Sequence, residues 1–305
     1  MNVLVTGGTG FVGRELSRQL RNAGHRVHLL ARKPESPAVR DQATQLGAKV
    51  VPGDVLDPDA MSRACGGMDA VIHLVGIIRE IGDQTFENIH VRGTRNAVFG
   101  AQDAGLRRFL HMSALGTRPG APARYHQTKW TAEETVRHSG LGWTIFRPSI
   151  IYGPGDEFVN LFAKMSRTLP VMPVIGGGKT RYQPVSVKAV AAAFVGALGH
   201  PESVGETYDL CGEETLSLEE IIDQILEVTG RRRAKMVISG ANARRLAGFL
   251  ELFFSRLLRK PAPLTHDQLI MMAEDNLGDG SKAREQFGLK RTTFKEGIAA
   301  YLRPV

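Results

Sequence analysis

Thr6-Gly7-Gly8-Thr9-Gly10-Phe11-Val12-Gly13 follows an apolar run, Val3-Leu4-Val5, within the first thirteen residues. The run suits a short buried parallel strand. Phe11, Val12, Leu16 and Leu20 then recur at helical spacing. The pattern is therefore strand, glycine turn, helix, the context in which three glycines mark a dinucleotide-binding turn. Gly7 allows the tight turn, Gly10 lets backbone approach a pyrophosphate, and Gly13 lets helix and strand pack closely. The phosphates sit on free N–H groups at the positive end of the helix, so Gly7, Thr9, Gly10, Phe11, Val12 and Gly13 are the first cofactor-binding candidates.

Outward from the turn, strand-like and helical runs alternate. Further strands are expected at Arg26 to Leu30, Lys49 to Val51, Ala70 to Leu74, Arg108 to Met112 and Trp143 to Phe146. Helices are expected between them at Arg14 to Ala23, Arg40 to Leu46, Pro58 to Cys65, Glu87 to Ala104 and Lys129 to Ser139. Such alternation specifies an α/β fold, a doubly wound parallel sheet of Rossmann type with helices on both faces. After Phe146 the chain becomes rich in Gly and Pro and then mostly helical. The expected division is a dinucleotide-binding domain over 1–150, completed by about 180–210, and a smaller, mostly helical lobe from 151–180 and 211–305.

Composition narrows the class. The chain has 305 residues, of which 42% are hydrophobic, and a net charge of +8. Its basic excess gathers at Arg231 to Arg233, Arg244-Arg245 and Arg256 to Lys260, with no nucleic-acid motif interleaved. Cys65 and Cys211 lie in no CxxC or Cys/His cluster, which argues against a metal site and for a reducing compartment. The start of the chain shows no signal-peptide pattern and no apolar stretch is long enough to span a bilayer, so a cytoplasmic location is expected, with peripheral attachment to the inner membrane open.

The end of the second strand bears on the cofactor. A site that prefers NAD places a carboxylate there for the ribose 2′-hydroxyl. This chain has Ala31-Arg32-Lys33, and no carboxylate before Glu35. Two cations suit a 2′-phosphate, which favours NADP(H) and leaves NAD(H) open. Arg32 and Lys33 as mere solvated loop residues are the competing reading.

Tyr125-His126-Gln127-Thr128-Lys129 is a Tyr-x-x-x-Lys pair. Residues four apart share one helix face. There the lysine can lower the tyrosine pKa, and the tyrosine can exchange a proton with a substrate oxygen.

The glycine spacing, the Tyr125/Lys129 pair after the fifth strand, His90-Val91-Arg92-Gly93-Thr94-Arg95-Asn96, and Arg147-Pro148 through Gly155 keep their order in one chain. Together they resemble the short-chain dehydrogenase/reductase superfamily, in its extended or atypical epimerase/dehydratase-like branch. That resemblance implies an adenine contact at Asp54 and Val55, ribose and nicotinamide contacts at Leu74, Val75, Gly76, Lys129 and Pro148, and a place for His73 beside the ribose. A packed strand-end histidine is the other reading of His73. The resemblance also implies a hydroxyl after the fifth strand, and Ser113 is the candidate; the position that normally carries it reads Ala114. His90 stands where the family has Asn. Both departures weigh against ordinary turnover.

His73 to Ile78, Pro263 to Leu269 and Asp275-Asn276 resemble the branch that holds the NADPH-binding accessory subunit of respiratory complex I and its bacterial relatives. Two functions stay open: an NADPH-dependent oxidoreductase or epimerase using Tyr125 and Lys129, or a non-catalytic or weakly catalytic NADPH-binding assembly protein of a membrane respiratory complex. The small-molecule substrate is not readable, and no nucleic-acid partner is expected. Leu246, Phe249, Leu250, Phe253 and Leu257 fall at helical spacing among basic residues in 244–260. That stretch is either a helix buried all round in the small lobe or a contact for a membrane surface or a protein complex.

Overall fold

β1 (Asn2–Thr6) is the third strand from one edge of a seven-stranded sheet in the computed structural model, which describes residues 1–254, 258 and 260–302. The others are β2 (Arg26–Ala31), β3 (Lys49–Pro52), β4 (Ala70–His73), β5 (Arg108–Met112), β6 (Gly142–Pro148) and β7 (Glu206–Leu210). Their spatial order is β3-β2-β1-β4-β5-β6-β7, and every neighbour pair is parallel. The chain starts inside the sheet, winds out to the edge strand β3, then crosses back to β4 on the other side of β1. The strand order thus reverses between β1 and β4, where a crevice opens at the carboxyl ends of the strands.

Alternation along the strands builds two cores. Val3 and Val5 of β1, with Leu29, Ile72, Leu110 and Phe146, pack against α1 (Phe11–Asn22) and α7 (Val187–Gly199). Leu4, with Val71, Phe109 and Ile145, faces α3 (Pro58–Cys65), α4 (Gly93–Asp103) and α5 (Arg124–Arg137). α2 (Pro37–Leu46) runs beside β3 and begins with its proline in the first turn, where a missing N–H costs nothing.

A third apolar cluster forms the smaller lobe. Tyr152, Met172, Val174 and Tyr182 pack with α6 (Val159–Thr168), α8 (Leu218–Val228) and α12 (Phe294–Ala299). Two further helices, α9 (Gly240–Phe253) and α10 (His266–Met272), lie on one another. α11 (Ser281–Phe287) returns to the main sheet, where Ala283 is buried in its core and Phe287 packs against Phe146 and Tyr208.

Three elements differ instructively from the sequence reading. α1 begins at Phe11 rather than Arg14, because the glycine turn itself supplies the helix start: Gly10 is the N-cap and its N–H donates to Gly7 O at 3.0 Å. β6 runs on to Pro148, held by its pairing with β7. α5 begins at Arg124, five residues before the expected start, so Tyr125 and Lys129 do share a helix.

Candidate active site

The glycine turn folds as its residues demand. Gly7 has φ +73°, a conformation that disfavours side chains. A Cβ on Gly13 would collide with Gly7 O and lie 2.5 Å from Gly8 Cα, so α1 could not approach the turn. A Cβ on Gly8 would lie 2.6 Å from Leu29 Cδ2. Two longer side chains brace the loop from outside: Gln42 of α2 donates to Gly8 O at 2.8 Å, and Arg14 Nε donates to Thr9 O at 3.1 Å. Gln42 was not a sequence candidate, since nothing local ties it to a turn thirty-four residues away. The first turn of α1 carries no acidic residue and no side-chain cap, which keeps its N–H groups suited to an anion.

The other cofactor candidates gather along the same edge of the sheet. Arg32 and Lys33 directly follow β2 and are exposed; among the described residues neither side chain makes a hydrogen bond or ion pair. Two unengaged cations at this point fit a 2′-phosphate. Asp54 and Val55 follow β3, with Asp54 Oδ1 accepting from Leu56 N–H and Val55 O accepting from Asn96 Nδ2. Leu74, Val75 and Gly76 follow β4 and lie against the glycine turn: Leu74 N–H donates to Thr6 O, and a Cβ on Gly7 would be 3.2 Å from Val75 N. Pro148 ends β6, and its carbonyl accepts from Leu115 N–H at 2.9 Å. These loops form a continuous cradle matched to a dinucleotide.

Tyr125 and Lys129 lie on α5 over the ends of β4 and β5. The Tyr125 ring packs edge-on against Phe86, His90 and His126, with centroids 5.9, 5.3 and 5.2 Å away. Burial pushes its phenol up to about 12, the opposite of the lowering expected from a lysine one turn on. Lys129 is buried, and its Nζ donates to Met112 O at 3.0 Å. Burial pulls its ammonium down to about 8, with the Glu133 charge opposing. Gly76 lies close under it: a Cβ there would sit 3.0 Å from Lys129 Nζ.

Beneath the lysine runs a buried ionic layer. Glu133, fully enclosed, accepts from Arg147 Nε at 2.8 Å, and from Arg147 Nη2 and Arg137 Nη2 at 2.6 Å each. Trp130 stacks under both guanidiniums, at 4.9 and 5.9 Å. Two guanidiniums thus engage one enclosed carboxylate below Lys129.

His90 takes over tasks open to an amide. Its Nδ1 meets Thr128 Oγ1 at 2.9 Å, while Nε2 lies 3.0 Å from Ile77 O and 3.2 Å from Ile77 N. The ring thereby joins the loop after β4 to α5. Burial, reinforced by the Lys129 charge, holds it far below the usual histidine range, hence neutral. His73 is a packed strand-end histidine, fully buried between Thr6 Oγ1 (2.7 Å) and Thr94 Oγ1 (3.2 Å) and stacked on His111 at 5.6 Å. Burial takes its pKa down to about 3.

Ser113 is buried, and its hydroxyl donates to Thr117 Oγ1 at 3.4 Å. Thr117 Oγ1 in turn lies 3.5 Å from His126 Nδ1. Ala114 is the partly exposed residue of the pair. Among the described residues no hydrogen bond links the Tyr125 hydroxyl to Ser113 or Lys129. A second missed residue is Asp267 of α10. Its carboxylate accepts from the N–H groups of Arg124 (2.7 Å) and Tyr125 (3.1 Å), capping α5 from 142 positions beyond Tyr125.

Comparison with known proteins agrees with this geometry. The model of the family described as NAD(P)H-binding matches residues 7–201, well over half of the chain. The mitochondrial NADH dehydrogenase [ubiquinone] 1 alpha subcomplex subunit 9 of Arabidopsis thaliana is 34% identical over 224 residues, 72% of this chain and 56% of that protein. A ceramide reductase of Caulobacter vibrioides is 36% identical over 195 residues, 63% of this chain and 59% of that protein. The chain thus spans little more than half the length of these relatives. The UDP-glucose 4-epimerase of Thermotoga maritima superposes with a TM-score of 0.76 at 18% identity, covering 99% of this chain and 97% of that one, a likeness of fold.

Proposed function

We infer the function from one premise: this chain belongs to the NAD(P)H-binding family, with short-chain dehydrogenase/reductase relatives. On it we propose an NADPH-dependent reductase of an apolar carbonyl compound. The observation that carries the reading is the pair of half-buried Tyr125 and buried Lys129 on α5, beside a dinucleotide cradle whose second-strand loop offers Arg32 and Lys33. Bound there, NADPH supplies a hydride. The residues do the rest. Arg32 and Lys33 hold the 2′-phosphate, and the α1 N–H groups hold the pyrophosphate. Tyr125, kept protonated by burial, donates its proton to the substrate oxygen as hydride reaches the carbonyl carbon. Lys129, charged below about pH 8, binds the ribose and steadies the phenolate that results. Ser113 has the hydroxyl chemistry to polarise the carbonyl. The apolar class rests on the ceramide reductase relative. The protein is peripheral in this reading, its 244–260 stretch meeting a membrane or complex.

A second reading is favoured by Ala114 and by the complex I subunit relative: NADPH binds, stabilises the fold by mass action, and supports assembly without turnover. NADPH oxidation with a panel of long-chain 3-oxo compounds separates the two. Turnover lost by about a thousandfold in Tyr125→Phe supports the reductase. Tight NADPH binding with no turnover on any compound supports the assembly protein.

A further inference from the structure

Residues 231–260 hold nine Lys and Arg against one Glu, leaving 30 against 30 in the rest of the chain. The whole net charge of +8 is therefore confined to one segment. Among the described residues, that segment also gathers half of the exposed large hydrophobic side chains. On α9, Leu246 is 43% exposed, Phe249 63% and Phe253 39%; Leu258 follows at 43%. Met236 and Val237, on the strand Ala234–Ile238 just before it, are 56% and 58% exposed. Only Ala243 and Ala247 of α9 are buried, so the helix is not enclosed all round. Within the 244–260 stretch, Arg256, Leu257 and Arg259 lie outside the described residues.

Asn242, Leu246, Phe249 and Phe253 form one exposed stripe, roughly a third of a turn around α9 from the buried Ala243 and Ala247. Arg245 is one turn before Phe249, and both Arg244 and Arg245 are exposed. The sole carboxylate of α9, Glu251, is engaged with α10: it accepts from His266 N–H at 2.9 Å and meets His266 Nδ1 at 2.6 Å. The stripe thus presents aromatic and aliphatic side chains beside Arg244 and Arg245, for which no ion pair forms among the described residues.

We propose that this face docks the protein on an anionic lipid bilayer. Polyanions such as nucleic acids take the cations but leave a Phe/Leu stripe wet; an acidic bilayer takes both, burying the rings at the headgroup boundary while the arginines meet phosphates. The dock is tied to the chemistry by two short links. Glu251 holds His266, and the next residue, Asp267, caps the N-terminus of the Tyr125 helix. An apolar substrate dissolved in the bilayer would then be drawn from the surface to which the catalytic helix is anchored. This last step rests on the reductase reading; the docking does not.

The test is sedimentation of the full chain with phosphatidylcholine vesicles and with phosphatidylcholine/phosphatidylglycerol vesicles, at low and high salt. The expected result is binding to the anionic vesicles at least about tenfold tighter than to the neutral ones, weakened by salt. Arg244→Gln and Arg245→Gln should each weaken it about fivefold, and Phe249→Glu about tenfold or more, with melting temperature and NADPH affinity unchanged as the control for folding. Equal binding to both vesicles, no sedimentation, or wild-type binding by these variants overturns the proposal, as does retention only by an acidic protein. Because the assay reads no turnover, a chain that sediments but oxidises no NADPH refutes the reductase reading alone.

Discussion

Lys129 shows how one buried charge serves two ends. In water its ammonium titrates near 10.5; enclosed under α5 it titrates at about 8, because burial disfavours the charged form more than Glu133 restores it. The sign of the linkage follows. Between pH 8 and 10.5 the unfolded chain keeps a proton that the folded chain has released, so this residue's penalty is lifted and stability rises with pH. Lys129→Met should therefore stabilise the fold at pH 7, by on the order of 2 kcal/mol, with the gain fading by about pH 10, as read from urea unfolding. Glu133 stays paired with Arg137 and Arg147 in that variant, so no lone buried charge offsets the gain. Loss of stability at pH 7 would contradict this account. The same substitution should remove turnover, and wild-type turnover should fall as pH climbs through about 8.

The glycine turn and α5 mark the limits of what the sequence reveals at the scale of elements. The turn is legible because its causes are local: positive φ at Gly7 and the approach of α1 at Gly13 involve residues within seven positions. Gly13→Ala should accordingly cost about 2 kcal/mol or more in unfolding free energy and weaken NADPH binding; a wild-type melting temperature would refute the packing argument. The start of α5 was not legible, because Ala123 is a poor N-cap and its first N–H groups are satisfied by Asp267. The Gln42 brace and the Glu133–Arg147 pair escaped for the same reason: they exist only once the chain has folded. Tyr125 and Lys129 were legible as a pair by spacing, whereas the upward pKa of Tyr125 comes from the packing of Phe86, His90 and His126 around it.

Across the whole molecule, the loops after β1 to β6 converge on one edge, and a single dinucleotide would touch nearly all of them. Holding that edge together is the cofactor's structural role in either functional reading, and in the proposed function Arg32 and Lys33 select which cofactor does it. The central claim is thus a preference set by two exposed cations. Isothermal titration of the full chain with NADPH and with NADH measures it, for the wild type and for Arg32→Glu combined with Lys33→Glu. The account predicts NADPH binding at least about tenfold tighter than NADH, with the preference abolished in the double variant. Equal affinity for the two in the wild type, or a preference for NADPH that survives both substitutions, would contradict it.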